Sequence, residues 1–304
     1  MTRQRQLAKI IADSISPDGV RLTTMEVEMP RIVLAEFNTH RVFSRSSASS
    51  RAIPVESMIR RVVEDSYIPG EWGVNGKGMQ AHGEASVETS ARAESEWLAA
   101  RDSAVVAAQR LLRLGIHNQT TNRLLEPFMW HTVIVTATEW ANFYNLRCNP
   151  LAHPALRDTA EAMRTVQAAS TPDPIAYGEW HLPLVDGRDD ADHLTDDERI
   201  RVSAARCARV SYLTHGGVRD PLKDIELHDA LVTNGHMSPL EHVARPMTRG
   251  DAESQVDRLS GVRGVDSRDI DVREHFSGNF RGWVQLRKTI SGEADILAHR
   301  GATK

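Results

Sequence analysis

"NTHRVFSRSSASSRAIP", residues Asn38 to Pro54, decides how the rest of the chain is read. It packs Arg41, Arg45 and Arg51 among serines, directly after an apolar stretch. Guanidinium forks make charge-assisted, often bidentate bonds to phosphate, and neighbouring hydroxyls add neutral donors. The competing reading is a solvated Arg/Ser segment, open to phosphorylation or to binding nucleic acid or a phosphoprotein. Ala48, Ala52 and Ile53 within the stretch, and regular structure around it, favour a folded loop.

Upstream, "TMEVEMP" sets Met25, Val27 and Met29 against Glu26 and Glu28, the alternation of a half-buried strand. Pro30 then suits the first position of a helix over "RIVLAEFNTHR". Val33, Leu34 and Phe37 share one face of that helix, which leaves Thr39, His40 and Arg41 at its C-terminal end. Downstream, Leu98, Val105 and Leu112 recur at helical spacing from about Ser86 to Leu114, where Gly115 stops the run. A short helix is expected around Arg123. "MWHTVIVTAT" is β-branched enough for a buried strand, and Thr138 can cap a following helix, "EWANFYNLR", that carries Asn142 and Arg147.

The stretch from about 171 to 199 is dense in Pro, Gly and Asp and reads as a linker between 1–170 and 200–304. Beyond it, "KDIELHDALVTNG" predicts a helix closed by Asn234-Gly235 that delivers "HMSPLEHV" as a loop running into a strand. Residues 248–275, charged and without clear period, read as a surface loop.

Bulk composition narrows the function classes. The chain has 304 residues, 40% of them hydrophobic and 26% charged, the values of an ordinary globular protein. A formal net charge of −4 argues against a general nucleic-acid binder and leaves small anions open. No stretch approaches the roughly 20 apolar residues that span a bilayer, and no secretory leader is visible, so no membrane partner and a cytoplasmic location are expected. Two cysteines, Cys148 and Cys207, cannot make a disulfide framework or a thiolate zinc site, so redox chemistry would need a bound cofactor. His236, Glu241 and His242 lie close together, but off the usual helical metal spacing and interrupted by Pro239; no metal is expected. His228-Asp229 could serve a metal-dependent phosphohydrolase, or be a surface pair on a helix. Cys148 could be a nucleophile, although lone cysteines are usually buried and inert.

Together these segments resemble the flavin-dependent thymidylate synthases. The family's Arg-His-Arg, seven residues, Ser signature stands here as Thr39-His40-Arg41, seven residues, Ser49, Ser50, Arg51. "AARCARVSY" (204–212) resembles its Ala-Arg-Val-Ser segment, and "NGHMSPLEH" (234–242) its Gly-His-x-Thr/Ser-Pro-Phe-Glu-His segment. "NRLLEP" (122–127) and "NFYNLR" (142–147) are similar to its later arginine-bearing helices. The usual order is changed, since the 204–212 and 234–242 blocks follow the others, which implies a circularly permuted member. Permutation is tolerated where the old termini lie close together at the surface. "NFRGWVQLRKTI" (279–290) has no counterpart and could supply a strand or a basic wall.

The resemblance implies an α+β fold with a sheet flanked by long helices, one domain over 1–304, and a homotetramer with sites between subunits. It implies bound FAD, and conversion of dUMP to dTMP with methylenetetrahydrofolate and NADPH as co-substrates. His40, Arg41, Asn142, Ser211, His236 and Ser238 match flavin-holding positions. Ser49, Ser50, Arg51 and Arg123 match nucleotide-binding positions, mainly around the phosphate. Arg147 matches the arginine on the pyrimidine ring, where it would stabilise charge developing as C5 becomes nucleophilic. The departures fall at ligand positions: Thr39 for arginine, Glu36 for glutamine, Ser46 and Ser47 for Asn-Glu, and Thr136 for asparagine. A variant acting on dCMP, or leaving a hydroxymethyl group, therefore stays open. Glu36 must either point away from a nucleotide phosphate or be neutralised by an arginine such as Arg45.

Overall fold

Alternating side chains in two central strands establish both faces of the main sheet. A computed structural model describes residues 5–185, 193–212, 217, 219–260 and 270–295, the side chains of 211, 212 and 256–260 aside. Strands β1 (Ala8–Ile15), β2 (Arg21–Pro30), β3 (Ser44–Ser47), β4 (Trp130–Ala137) and β5 (Asp173–Pro174) form one sheet in the order β3-β4-β2-β1-β5. Neighbours run antiparallel except β1 and β5. Met25, Val27 and Met29 of β2 join Val133, Val135 and Ala137 of β4 on one face, as a period of two requires. They bury against Phe143 of α5 (Ala141–Arg147) and Leu156, Ala160 and Met163 of α6 (Pro154–Ala169). The architecture is α+β.

The opposite face carries Thr24, Ile134 and Thr136, all fully buried. Chain beyond the Pro/Asp-rich stretch covers it: Cys207 of α7 (Asp196–Ala208) and Val210 pack on Ile134. A capping box at Thr195 and Glu198 starts α7, and α8 (Pro221–Thr233) follows, ending at Gly235 with φ +71°. Asp224 of α8 joins the two helices, accepting from Arg206 Nε at 2.8 Å and Arg209 Nε at 2.7 Å. Elsewhere α2 (Val55–Glu64) and α3 (Val87–Arg113), with the 3-10 turn Asn122–Phe128, enclose a second apolar cluster around Met58, Val105 and Leu125.

Several sequence expectations are corrected. The helix after Pro30 is only a 3-10 turn, Arg31–Val33, followed by α1 (Leu34–Phe37). It stops before Thr39 because the Thr39 hydroxyl and N–H both turn back to the Glu36 carbonyl. Thr138 does not cap α5: the helix starts at Ala141, and the Thr138 hydroxyl accepts from the Arg281 N–H. Within 248–275, Arg249–Ser260 is a helix rather than a loop; residues 261–269 lie outside the described residues. Thr248 and Asp251 cap that helix reciprocally, a Thr-x-x-Asp signal that outweighs the missing period. Part of the 171–199 stretch is folded: β5 extends the sheet, and His181 is buried at its back. "NFRGWVQLRKTI" takes the strand alternative, Trp283–Gln285 pairing with Ala244–Pro246, and buries Trp283 completely.

Candidate active site

The Arg/Ser loop is a fixed part of the fold. Its 3-10 turn Ser50–Ala52 is held from beneath by Asn122, whose Nδ2 donates to the Ser50 carbonyl at 2.7 Å and the Ile53 carbonyl at 2.8 Å. The Ser50 hydroxyl donates to Glu126 Oε1 at 2.9 Å. A cavity of about 680 Å³ opens between this loop and the 3-10 turn Ser238–His242 that follows α8. Arg45, Ser47, Ser49 and Arg51 line one side, and His236 and Ser238 another. Residues nearly two hundred positions apart thus share one cavity.

Among the described residues no carboxylate lines this cavity. Among the described residues the side chains of Ser47, Ser49, Arg51, His236 and Ser238 make no hydrogen bond or ion pair. The wall is therefore a set of free donors around two guanidinium groups, which suits an anion carrying several acceptor oxygens. Arg45 gives an N–H to the His40 carbonyl at 3.4 Å. Burial holds its guanidinium below the ordinary arginine range, and the nearby Glu241 carboxylate opposes the shift.

Arg147 belongs to a second group. Its Nε donates to His40 Nε2 at 2.9 Å, and its Nη2 to Thr39 Oγ1 at 3.2 Å. Burial, then Arg147 and Arg45, push His40 down to about 4, so the ring is neutral near pH 7, with Nε2 the acceptor and the proton on Nδ1. Arg147 and Glu36 line a larger cavity of about 940 Å³, walled by Tyr67, Trp72, Trp97 and Trp130. Glu36 Oε2 is buried there without a hydrogen-bond partner. Of the two alternatives for Glu36, it points away from the Arg/Ser loop, and Arg45 answers Glu241 instead.

The remaining expected site residues scatter. Arg41 and Asn142 are exposed and line neither cavity. Arg123 is exposed and bound to Glu126 at 2.6 Å, beneath the loop rather than inside the cavity. The Ser50 hydroxyl is already engaged by Glu126, which leaves Ser49 as the free hydroxyl of the pair. The Ser211 side chain lies outside the described residues. One chain therefore unites Ser49, Arg51, His236 and Ser238, and separately His40 with Arg147.

His228 Nδ1 bonds Asp229 Oδ1 at 2.9 Å, with His228 buried, Asp229 exposed and Asp229 paired with Arg201. Among the described residues no group of three or more His, Cys, Asp and Glu could hold a metal ion, and no helix is long and apolar enough to cross a membrane. His117 and Gln119, at the edge of α4 (Asn118–Thr121), also line the smaller cavity, and no sequence signal pointed to them.

The family model described as thymidylate synthase complementing protein matches residues 20–173, just over half of the chain. Two solved structures of the UMP/dUMP methylase PolB from Streptomyces cacaoi are similar to parts of it. The one bound with 5-Br dUMP shares 21% identity over 49% of this chain and 66% of that one, with a TM-score of 0.41. The one bound with 5-Br UMP shares 16% identity over 53% and 88%, with a TM-score of 0.44. No curated protein matches the chain.

Proposed function

Since the chain belongs to the thymidylate synthase complementing protein family, we propose that it is a flavin-dependent thymidylate synthase, methylating dUMP to dTMP with methylenetetrahydrofolate and NADPH. The observation that carries this reading is the cavity in which Arg45 and Arg51 meet Ser49, His236 and Ser238, with no carboxylate among the described lining residues. A nucleotide 5′-phosphate fits that donor set, with Arg51 and Ser49 as its holders.

The same donor chemistry fits the phosphate-bearing part of FAD, which His236 and Ser238 would hold, with His40, Arg41 and Asn142 meeting it from a neighbouring subunit. Bound FAD, once reduced, supplies the hydride for the methyl group. Arg147, locked by His40 and Thr39, would set a fixed positive charge against the pyrimidine ring where negative charge develops. Within one chain Arg147 and Arg51 open to different cavities, so the reading includes a homotetramer in which one subunit's Arg147 meets a neighbour's Arg51. It also includes circular permutation: the 204–212 and 234–242 blocks lie outside the matched residues, yet pack onto β3 and β4 through His242 and Val210.

One observation favours a second substrate. The unpartnered Glu36 carboxylate beside Arg147 is an acceptor, and of the two pyrimidines cytosine carries an exocyclic amino donor. Mass analysis of nucleotide products from dUMP and dCMP, made by protein loaded with FAD, separates the two and distinguishes methyl from hydroxymethyl. Absence of any flavin absorbance after FAD is added would refute both.

A further inference from the structure

Six buried polar side chains form an unbroken hydrogen-bond chain through the back of the sheet. Ser14 Oγ meets His181 Nδ1 at 2.8 Å, and His181 Nε2 meets Thr24 Oγ1 at 2.7 Å. Thr24 Oγ1 meets Thr136 Oγ1 at 2.7 Å, across the β2–β4 pair in which these residues are register partners. Thr136 Oγ1 meets His242 Nδ1 at 2.8 Å, and His242 Nε2 meets Ser46 Oγ at 3.0 Å. All six are buried, and the last, Ser46, stands in the wall of the smaller cavity. Apolar residues at 24 and 136 would pack a covered sheet face at lower polar cost, so the chain calls for a role.

Burial pushes both histidines down to about 3, so each ring is neutral, donating through one nitrogen and accepting through the other. A tautomer chosen at one end therefore fixes each neighbour in turn. Two arrangements satisfy all five contacts without leaving a threonine proton off the chain. In the outward one Ser14 donates to His181 Nδ1, His181 Nε2–H to Thr24, Thr24 to Thr136, Thr136 to His242 Nδ1, and His242 Nε2–H to Ser46. The Ser46 O–H is then free to donate into the cavity. In the inward one every donor is reversed, and Ser46 offers the cavity only lone pairs. Interconversion passes one proton out at one end of the chain and takes one in at the other, so the number of protons held is unchanged.

We propose that His242, Thr136, Thr24 and His181 are positioning residues, a relay that orders the Ser46 hydroxyl as a donor to an anionic oxygen in the cavity. An ionised phosphate oxygen only accepts, so its binding at Ser46 selects the outward arrangement and with it the Nε2–H tautomer of both rings. The identity of that anion as a nucleotide phosphate rests on the function proposed above; the ordering of the chain does not.

The test uses full-length protein with ¹⁵N-labelled histidine, in which two-bond ¹H–¹⁵N correlations report each ring's tautomer, titrated with dUMP and separately with inorganic phosphate. Saturation should place His181 and His242 together in the Nε2–H form. Thr24→Val removes a mid-chain hydroxyl that does not line the cavity. It should uncouple the His181 tautomer from the ligand and weaken dUMP binding about 3- to 10-fold, the size of one hydrogen bond. Thr24→Ser, which keeps the hydroxyl, should restore both. Opposite tautomers in the two rings, no tautomer response to either anion, or a serine variant as impaired as the valine one would overturn the relay. Ordering by inorganic phosphate with no binding of dUMP would support the relay and sink the nucleotide reading.

Discussion

Replacing Arg51 by alanine separates recognition of the phosphate from recognition of the rest of the nucleotide. Among the described residues the guanidinium stands in a cavity wall without carboxylates and has no partner to lose. The substitution therefore removes a free donor and leaves no buried anion behind. A charge-assisted hydrogen bond contributes roughly 1.5–3 kcal/mol when shielded, and Arg51 is exposed, so about 1–2 kcal/mol is the appropriate range. That corresponds to a roughly 5- to 30-fold weaker dissociation constant for dUMP. Calorimetric titration with dUMP and with deoxyuridine is the assay: the nucleotide should lose affinity, and the nucleoside, which has no phosphate, should not. Ser49→Ala should weaken dUMP as well. Ser50→Ala, whose hydroxyl is engaged by Glu126, should act on stability instead. Equal losses for nucleotide and nucleoside, or an unchanged dUMP affinity, would remove Arg51 from the phosphate site.

Arg147→Ala should lower turnover by on the order of 10²-fold or more while leaving flavin bound, and near-normal turnover would withdraw its assignment to the pyrimidine ring. Acid should destabilise the fold. His181 and His242 are held near 3, below the unfolded value of about 6.5, so the unfolded chain binds more protons between those limits and stability is lost as pH falls through that window. At pH 5 the cost is about 2 kcal/mol for each ring, measurable as a lower urea midpoint, and His181→Gln should flatten the profile. Asp224→Asn removes the buried carboxylate shared by Arg206 and Arg209 and should cost about 3–5 kcal/mol in denaturant unfolding; a loss under 1 kcal/mol would contradict that role.

How much of this was legible beforehand depends on the reach of the interactions. The alternation of Met25, Val27 and Met29 gave β2 its face, and Asn234-Gly235 gave α8 its end, because both signals are local. Ala48, Ala52 and Ile53 favour a folded loop over a solvated tail, and the segment is folded. What fixes it, Asn122 beneath, and what faces it across the cavity, His236, are long-range and leave no mark on its own segment. Ser50 and Arg123 were expected in the phosphate site, but Glu126 engages both, and pairing with a third residue cannot be read from spacing. The relay was hidden for a related reason. Thr24 and Thr136 read as ordinary strand residues, and His181 sits in a stretch whose composition signals a linker. Only the register of β2 with β4 brings their hydroxyls together.

The most direct measurement is the mass of the pyrimidine nucleotide recovered after the protein is incubated with FAD, NADPH, methylenetetrahydrofolate and dUMP. The account predicts a product heavier by one CH₂, formed by the wild type and strongly reduced in Arg147→Ala. Recovery of unaltered dUMP from protein that carries flavin and binds the nucleotide would contradict it.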